Sequence, residues 1–329
     1  MPRASVIITT HNRPALLPRA IESARASGRD VEVVVVDDAS SDLTARICRS
    51  IPDFKYIRVD RNQGVAGARN IGLVASSGEY VTFLDDDDVR LPGSLDQQIR
   101  ILDQTPEAMM IYSQAIPEDA DGTHRRPYPP EGPQGDIFWE LLVRNFIPSG
   151  SAVFRRACIS RIGLLDDSIP GIDDWDLWIR IAELFPVAAI ETPVMIWRQS
   201  TEGSAQGSSD TLHLIESGRK RFRQNWLRLP RVTGAESEKR KSVWRAFSQN
   251  IAEHLAWESF AAIRNAEIIR ASRGLRTLLQ LDPSALSNLV RRWTRASTIA
   301  TLVSALVDRK ELPNAKAHFK QVRSNIPRR

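Results

Sequence analysis

Two short, nearly continuous apolar runs rich in β-branched residues constrain this chain more than any other feature, ASVIIT at 4–9 and VEVVVV at 31–36; KYIRV at 55–59 reads as a weaker strand and EYVTFL at 79–84 as a fourth. A run without polar alternation reads as a strand covered on both faces, the condition of parallel strands in layered α/β proteins. Between the first two, Leu17, Ile21 and Ala24 recur at helical spacing, Asn12 stands where a cap is expected, and Pro18 belongs in the first turn. SSDLTARICRS and GVAGARNIGLVAS supply two further helices, the second followed by an SG turn. This alternation predicts a mostly parallel sheet with helices on both faces.

Farther on, LPGSLDQQIRIL predicts a helix with Leu95, Ile99 and Leu102 on one face, and AMMIYS a strand. The segment 117–136, rich in Pro, Gly and charge, reads as a long surface loop. A helix FWELLVRN, a strand SAVF, a helix IDDWDLWIRIAELF and strands in VAAIETPVMIW follow, and from about 208 the pattern is helical to the end.

Ligands of such sheets collect beyond the carboxyl ends of the strands. There the first run ends in Thr9, Thr10, His11, Asn12 and Arg13, the second in Asp37 and Asp38, and the fourth in Asp85–Asp88. Four adjacent carboxylates after a buried strand repel one another by roughly 4 kcal/mol per close pair at an intermediate dielectric. A solvated loop with Asp88 capping the helix near Pro92 accounts for one of them and leaves Asp85 to Asp87 unexplained. In extended chain Asp85 and Asp87 face one side, so a hard divalent cation, Mg²⁺ or Mn²⁺, shared with phosphates would relieve the repulsion.

Taken in order, TTHNR, VVVVDDASSD, NQGVAGARNIG, GEYVTFLDDDDVRLP and IDDWDLWIR resemble the successive motifs of bacterial family 2 glycosyltransferases of the GT-A fold, over residues 4–200. The resemblance implies that Thr9, His11 and Asp38 hold the nucleotide base and ribose, with Asn12, Arg13 and Asp37 beside them. His11 stands where the family often has Tyr. Arg69 is similar to the family's arginine near the base and diphosphate, a plain surface arginine being the alternative. The family's DxD element falls on Asp85 and Asp87, with Asp87 as metal ligand, Asp85 on ribose or metal, and Asp86 between them facing away unless the strand has already turned. GIDDWDLWIR resembles the Glu-Asp motif whose Asp, here Asp174, is the general base; Asp173 and Asp176 read as ordinary first-turn carboxylates. A helix start lowers an Asp pKa, which makes a weaker base. The family often has an Arg followed two residues later by His; here Arg198 is followed by Ser200.

Residues 1–200 carry 21 Lys/Arg against 29 Asp/Glu, a net −8, whereas residues 201–329 carry 24 against 11, a net +13. The basic part suits an anionic partner. Leu286, Leu289, Val290, Trp293, Leu302, Val303 and Leu306, flanked by Arg291, Arg292 and Arg295, read as a packed helix or as one lying on an anionic membrane. No nucleic-acid motif is present, so nucleic acid ranks last. Cys48 and Cys158 lack disulfide or zinc spacing and fit a reducing compartment. MPRASVIITTHNR does not read as a leader or an anchor, and IATLVSALV at 299–307 is too short to span a bilayer.

These features predict a catalytic nucleotide-sugar domain over 1–205 and a basic helical region over 206–329. The expected activity is inverting, metal-dependent transfer from a nucleotide-sugar donor, a UDP-sugar, to a hydroxyl of a glycan or lipid-linked acceptor. The expected location is cytoplasmic, peripheral on the inner face of the plasma membrane. A nucleotidyltransferase or a non-catalytic nucleotide-sugar-binding scaffold is the alternative; TTHNRP is poor in the Gly and Lys that the former needs.

Overall fold

The computed structural model describes residues 1–198, 211–264 and 267–281. Strands β1 (Ala4–Thr10), β2 (Val31–Asp37), β3 (Lys55–Arg58) and β4 (Tyr80–Asp85) alternate with helices α1 (Leu17–Ala26), α2 (Thr44–Ser50) and α3 (Gly64–Ala75). Next come β5 (Val89–Arg90), α4 (Ser94–Gln104), β6 (Met110–Glu118), α5 (Phe138–Val143), β7 (Val153–Arg155), α6 (Ile159–Ile162), α7 (Asp173–Leu184) and β8 (Val187–Arg198). Helices α8 (Thr211–Gln224), α9 (Pro230–Thr233), α10 (Ser237–Arg264) and α11 (Ile268–Leu281) complete the described chain.

One eight-stranded sheet runs β3-β2-β1-β4-β7-β6-β8-β5. Its first four strands are parallel, with Thr9 of β1 in register with Val36 on one side and Asp85 on the other. β7 enters antiparallel to both β4 and β6, so the other half is mixed. The order reverses between β1 and β4, since β2 and β3 extend one way from β1 and β4 lies on its other edge. That is the switch point at which open α/β sheets bind ligands.

The apolar runs behave as expected. Val6, Ile8, Val33, Val35 and Leu84 are buried with Leu17, Ala20, Ile21 and Ala24 of α1 and with Leu95, Ile99 and Leu102 of α4 in one core cluster. Pro18 lies in the first turn of α1. On the opposite face α3 approaches so closely that a Cβ at Gly72 would come within 2.3 Å of Ile7.

Several expectations shift. The cap of α1 is Leu16 rather than Asn12, because the chain first turns through Asn12 at φ 54°. Helix α4 is preceded by Gly93 at φ 68°, so Asp88 is not its cap. The loop expected at 117–136 begins only after β6 ends at Glu118, and antiparallel bridges Glu118↔His124 and Ala115↔Tyr128 tie it down. VAAIETPVMIW forms one long strand, with a register irregularity opposite Gln114 where Pro193 offers no N–H.

Two compact units emerge: Met1–Asp210 with Glu216–Gly234, and Thr211–Ile215 with Ala235–Arg329. The helical segment 216–234 therefore packs within the sheet-bearing unit, past the division expected at 205. Within the second unit, α11 buries Ala271, Thr277 and Leu278 and exposes Ile268 and Ile269. Ser200 and the Leu286–Leu306 pattern with its arginines lie outside the described residues. Among the described residues no helix is long and apolar enough to cross a membrane.

Candidate active site

β4 ends in a tight turn, closed by the Asp88 N–H donating to the Asp85 carbonyl at 3.0 Å. Because the chain has turned rather than continued extended, simple alternation no longer decides where the carboxylates point. Oxygens of Asp85, Asp87 and Asp88 come within 4.8 Å of one another. Asp86 swings the other way and is buried, accepting from Thr10 Oγ1 at 2.7 Å and from Arg13 Nη1 at 2.8 Å. Arg13 also reaches Asp87 at 3.3 Å. Asp88 accepts from the Arg198 backbone N–H at 2.9 Å, a role no local signal announces, while the Arg198 side chain bonds Glu118.

The electrostatics follow from burial. Desolvation raises the Asp86 pKa to about 6 despite Arg13. Burial, with Asp85 and Asp87 adding to it, pushes Asp88 well above the usual carboxylate range. A buried carboxylate repelled by two neighbours is the state that a cation relieves. Three hard oxygen donors in one turn fit Mg²⁺ or Mn²⁺, which are held by few carboxylates and completed by phosphate oxygens.

Across β1, the ends of β1 and β2 are laced together. The Asp38 carbonyl accepts from His11 Nδ1 at 2.6 Å, and since a carbonyl only accepts, Nδ1 carries the hydrogen. Nε2 then accepts from Asn12 Nδ2 at 3.0 Å. Asn12 Oδ1 in turn accepts from the Ser41 N–H at 2.8 Å. Asp38 takes the Gln63 N–H at 2.7 Å, which ties the start of α3 to this edge. Asp37 is fully buried and holds the loop, accepting from the Ser40 N–H and the Tyr56 hydroxyl; burial works against these bonds, which together keep its pKa low. Thr9 is half-buried between Val36 and Asp85. Thr9, His11, Asn12 and Asp38 thus share one edge, one strand away from the acidic turn.

Arg69 is not a surface arginine. It is 4% exposed on α3 and donates to Asp85 at 2.9 Å and to Asp173 at 3.0 Å, with its guanidinium 5.1 Å from the Phe83 ring centroid. One side chain therefore spans the acidic turn and the first turn of α7. Asp173 is correspondingly buried and paired, more than the solvated first-turn acid its position suggests. Asp174 follows it, half-buried, with Oδ1 accepting the Trp175 N–H at 2.6 Å. The low pKa expected of a helix-start acid is reversed here. Desolvation, then repulsion from Asp173, raises Asp174 to about 7, and Arg69 only partly offsets them. Asp176, read from sequence as another helix-start acid, is also buried and takes donors from Arg180, Arg221 and Trp226.

Residues 5–163 match the family model described as Glycosyl transferase family 2. An uncharacterized glycosyltransferase of Haemophilus influenzae is 28% identical over 182 residues, 54% of this chain and 62% of its own length. The succinoglycan biosynthesis protein ExoO of Rhizobium meliloti is 42% identical over 106 residues, 31% of this chain and 30% of its own length. The GalNAc(5)-diNAcBac-PP-undecaprenol beta-1,3-glucosyltransferase of Campylobacter jejuni is 44% identical over 101 residues, 29% of this chain and 33% of its own length. The chain thus spans less than two thirds of these relatives. Residues 1–349 of S. aureus TarS, solved in complex with UDP-GlcNAc, superpose with a TM-score of 0.60 at 16% identity, covering 97% of this chain and 92% of that one. That likeness is one of fold, and it is the GT-A fold. The matched residues contain β1 to β4, the acidic turn and Arg69, and it is this segment of the chain that is similar to glycosyl transferase family 2.

Proposed function

We propose that this protein transfers a sugar from a nucleotide-sugar donor, a UDP-sugar, to a hydroxyl of a glycan or lipid-linked acceptor, with inversion at the anomeric carbon. One observation carries the reading: Arg69 joins Asp85 to Asp173, so the acidic turn and the start of α7 meet across one guanidinium. A metal-type carboxylate set and a carboxylate suited to accept a proton are the two parts that metal-dependent single-displacement glycosyl transfer uses.

Asp87, Asp85 and Asp88 would hold the divalent cation, which when bound offsets charge on the departing diphosphate. Thr9, His11 and Asp38, at the β1–β2 edge, are suited to the nucleoside: a carboxylate accepts the uracil N3 hydrogen, and an imidazole offers a flat face. Asp174 accepts the proton of the acceptor hydroxyl as that oxygen bonds to the anomeric carbon. The bond from that carbon to the diphosphate oxygen breaks, and the electron pair leaves with the nucleotide. A carboxylate with a pKa of about 7 is matched to this task at neutral pH. The choice of UDP draws support from the TarS complexes with UDP and UDP-GlcNAc, and the choice of acceptor from relatives named for succinoglycan and undecaprenol-linked sugars.

The net +13 of residues 201–329 supports docking of the enzyme on the anionic inner face of the plasma membrane, where lipid-linked acceptors reside. Flotation that shows no preference for anionic over neutral vesicles at low salt would remove this part of the reading. For the activity, the test is thermal stabilisation by a panel of nucleotide sugars with Mn²⁺ or chelator, joined to nucleotide release. UDP-sugars should stabilise the protein in Mn²⁺ and lose that effect in Asp87→Ala. Equal stabilisation with chelator and in Asp87→Ala would count against the metal, and no release of UDP from any donor would count against transfer.

A further inference from the structure

The first turn of α7 presents Asp173, Asp174 and Asp176; Asp173 pairs with Arg69 and Asp174 is the proposed base, which leaves Asp176 with no part in transfer so far. Successive helix residues are rotated by about 100°, so Asp174 and Asp176 lie on opposite sides of the helix while Asp173 shares the side of Asp176. Asp176 is 1% exposed and its two oxygens are both occupied. Oδ1 accepts from Arg221 Nε at 2.8 Å and from Trp226 Nε1 at 2.7 Å, and Oδ2 accepts from Arg180 Nε at 2.8 Å. Arg221 is itself held, donating through Nη1 to Asp166 at 2.7 Å. The Trp226 ring lies tilted against Trp175 with centroids 4.9 Å apart, and Trp175 Nε1 donates to the Leu141 carbonyl at 2.7 Å. Arg69 holds Asp173. The residues on either side of Asp174 and the second one after it are therefore all pinned by contacts with other elements.

Two of the donors to Asp176 come from residues 216–234, which belong to the sheet-bearing unit but lie beyond the residues that match the family. A first-turn acid needs no such partners; the helix dipole alone favours it. Burying a carboxylate with two guanidinium groups is a costly way to gain stability, and an apolar contact of similar volume often serves as well. What the polar arrangement does provide is direction, because charge-assisted bonds to both oxygens define one orientation of the turn.

We propose that Arg221 and Trp226 are positioning residues for the transfer step, acting through Asp176 to fix the turn that aims Asp174. The proposal rests on the reading of Asp174 as the base. A base displaced by about 1 Å loses on the order of 10²-fold in rate, so the anchor should appear in turnover rather than in donor binding.

Trp226→Phe keeps an aromatic ring on the Trp175 side and removes the N–H together with part of the ring volume; Arg221→Gln removes the charge and Arg221→Lys retains it. Nucleotide release from UDP-glucose and UDP-GlcNAc in Mn²⁺, with water as acceptor, gives kcat and KM, and calorimetry gives the affinity for UDP. Trp226→Phe and Arg221→Gln should lower kcat roughly 10- to 100-fold, leave KM and UDP affinity within about twofold, and Arg221→Lys should recover part of the loss. In an Asp174→Asn background the same substitutions should cost little more, because the group they aim is gone. Unchanged kcat, a full additional loss in that background, or KM and affinity lost in step with kcat would overturn the proposal. Amide exchange of 172–178 supplies a readout free of turnover: it should rise in Trp226→Phe and Arg221→Gln while β1 and β4 are unaffected, and unchanged exchange overturns the anchoring. Should the wild type release no nucleotide from either donor, the exchange result decides the anchor by itself. Should Trp226→Phe fail to fold, the Arg221 pair carries the same test.

Discussion

Arg69→Met removes the cation between Asp85 and Asp173 while keeping much of the side-chain volume. The two arms of this bridge are unequal. The Asp173 side chain is 3% exposed, whereas that of Asp85 is 38% exposed and is rehydrated once its partner leaves. The Asp85 arm is thus worth no more than a surface pair, about 0–1 kcal/mol. Stranding a buried charge by deleting its partner costs roughly 3–5 kcal/mol, and the Asp173 arm carries that loss. For a unit of this size 1 kcal/mol moves the midpoint by about 2–4 °C, so the expected fall is roughly 6–20 °C. Thermal melts measure that fall, and denaturant melts of Arg69→Met, Asp173→Asn and the double variant measure the free energies. The double variant should be more stable than the sum of the singles predicts, by at least about 2 kcal/mol, because with both substitutions a neutral amide faces a thioether and no charge is stranded. A loss below about 1 kcal/mol in Arg69→Met, or strictly additive singles, would refute the view that this bridge is a buried, structure-bearing link between the acidic turn and α7.

Asp174→Asn should retain UDP affinity while transfer falls roughly 10²- to 10⁴-fold, measured by calorimetry and by nucleotide release; Asp173→Asn should reveal itself mainly as lost stability, since Asp173 holds Arg69. The base acts as its carboxylate and its pKa is raised to about 7, so kcat should decline as pH falls through 7, about tenfold per unit below it. A pH profile flat from about 5 to 8 would contradict that assignment. Asp88 has a folded-state pKa raised by burial and by Asp85 and Asp87, so above its unfolded value its charge opposes folding; Asp88→Asn should raise the metal-free melting temperature at neutral pH yet reduce stabilisation by UDP with Mn²⁺. A variant with lower metal-free stability would show that Asp88 is compensated in the protein alone.

The run-by-run pattern of β-branched residues by itself determined the parallel half of the sheet, because strands covered on both faces must be apolar throughout, and VEVVVV or EYVTFL has no other comfortable setting. Motif order likewise marked the ends of β1, β2 and β4, where Thr9, His11, Asp38 and Asp85 do meet at one edge. What local reading could not supply was the partner of each charge. Asp85 to Asp88 were legible as a cluster, but which of them converge depends on a turn closed by a single backbone bond, and Asp86, outside the set, is held by Thr10 and Arg13 from the far end of β1. Arg69 reads as surface or site with equal ease until α3 packs it against Phe83 and between two acids. Asp174 reads as a helix-start carboxylate with a lowered pKa; its elevation arises from desolvation and from Asp173 held beside it, and neither exists before the chain is folded. Asp176 reads as one more acid in a first turn, and its partners Arg221 and Trp226 stand 45 and 50 residues away in sequence. Apolar periodicity is a local property and survives in the sequence; electrostatic pairing is a property of contacts between distant residues, and only tertiary structure decides it.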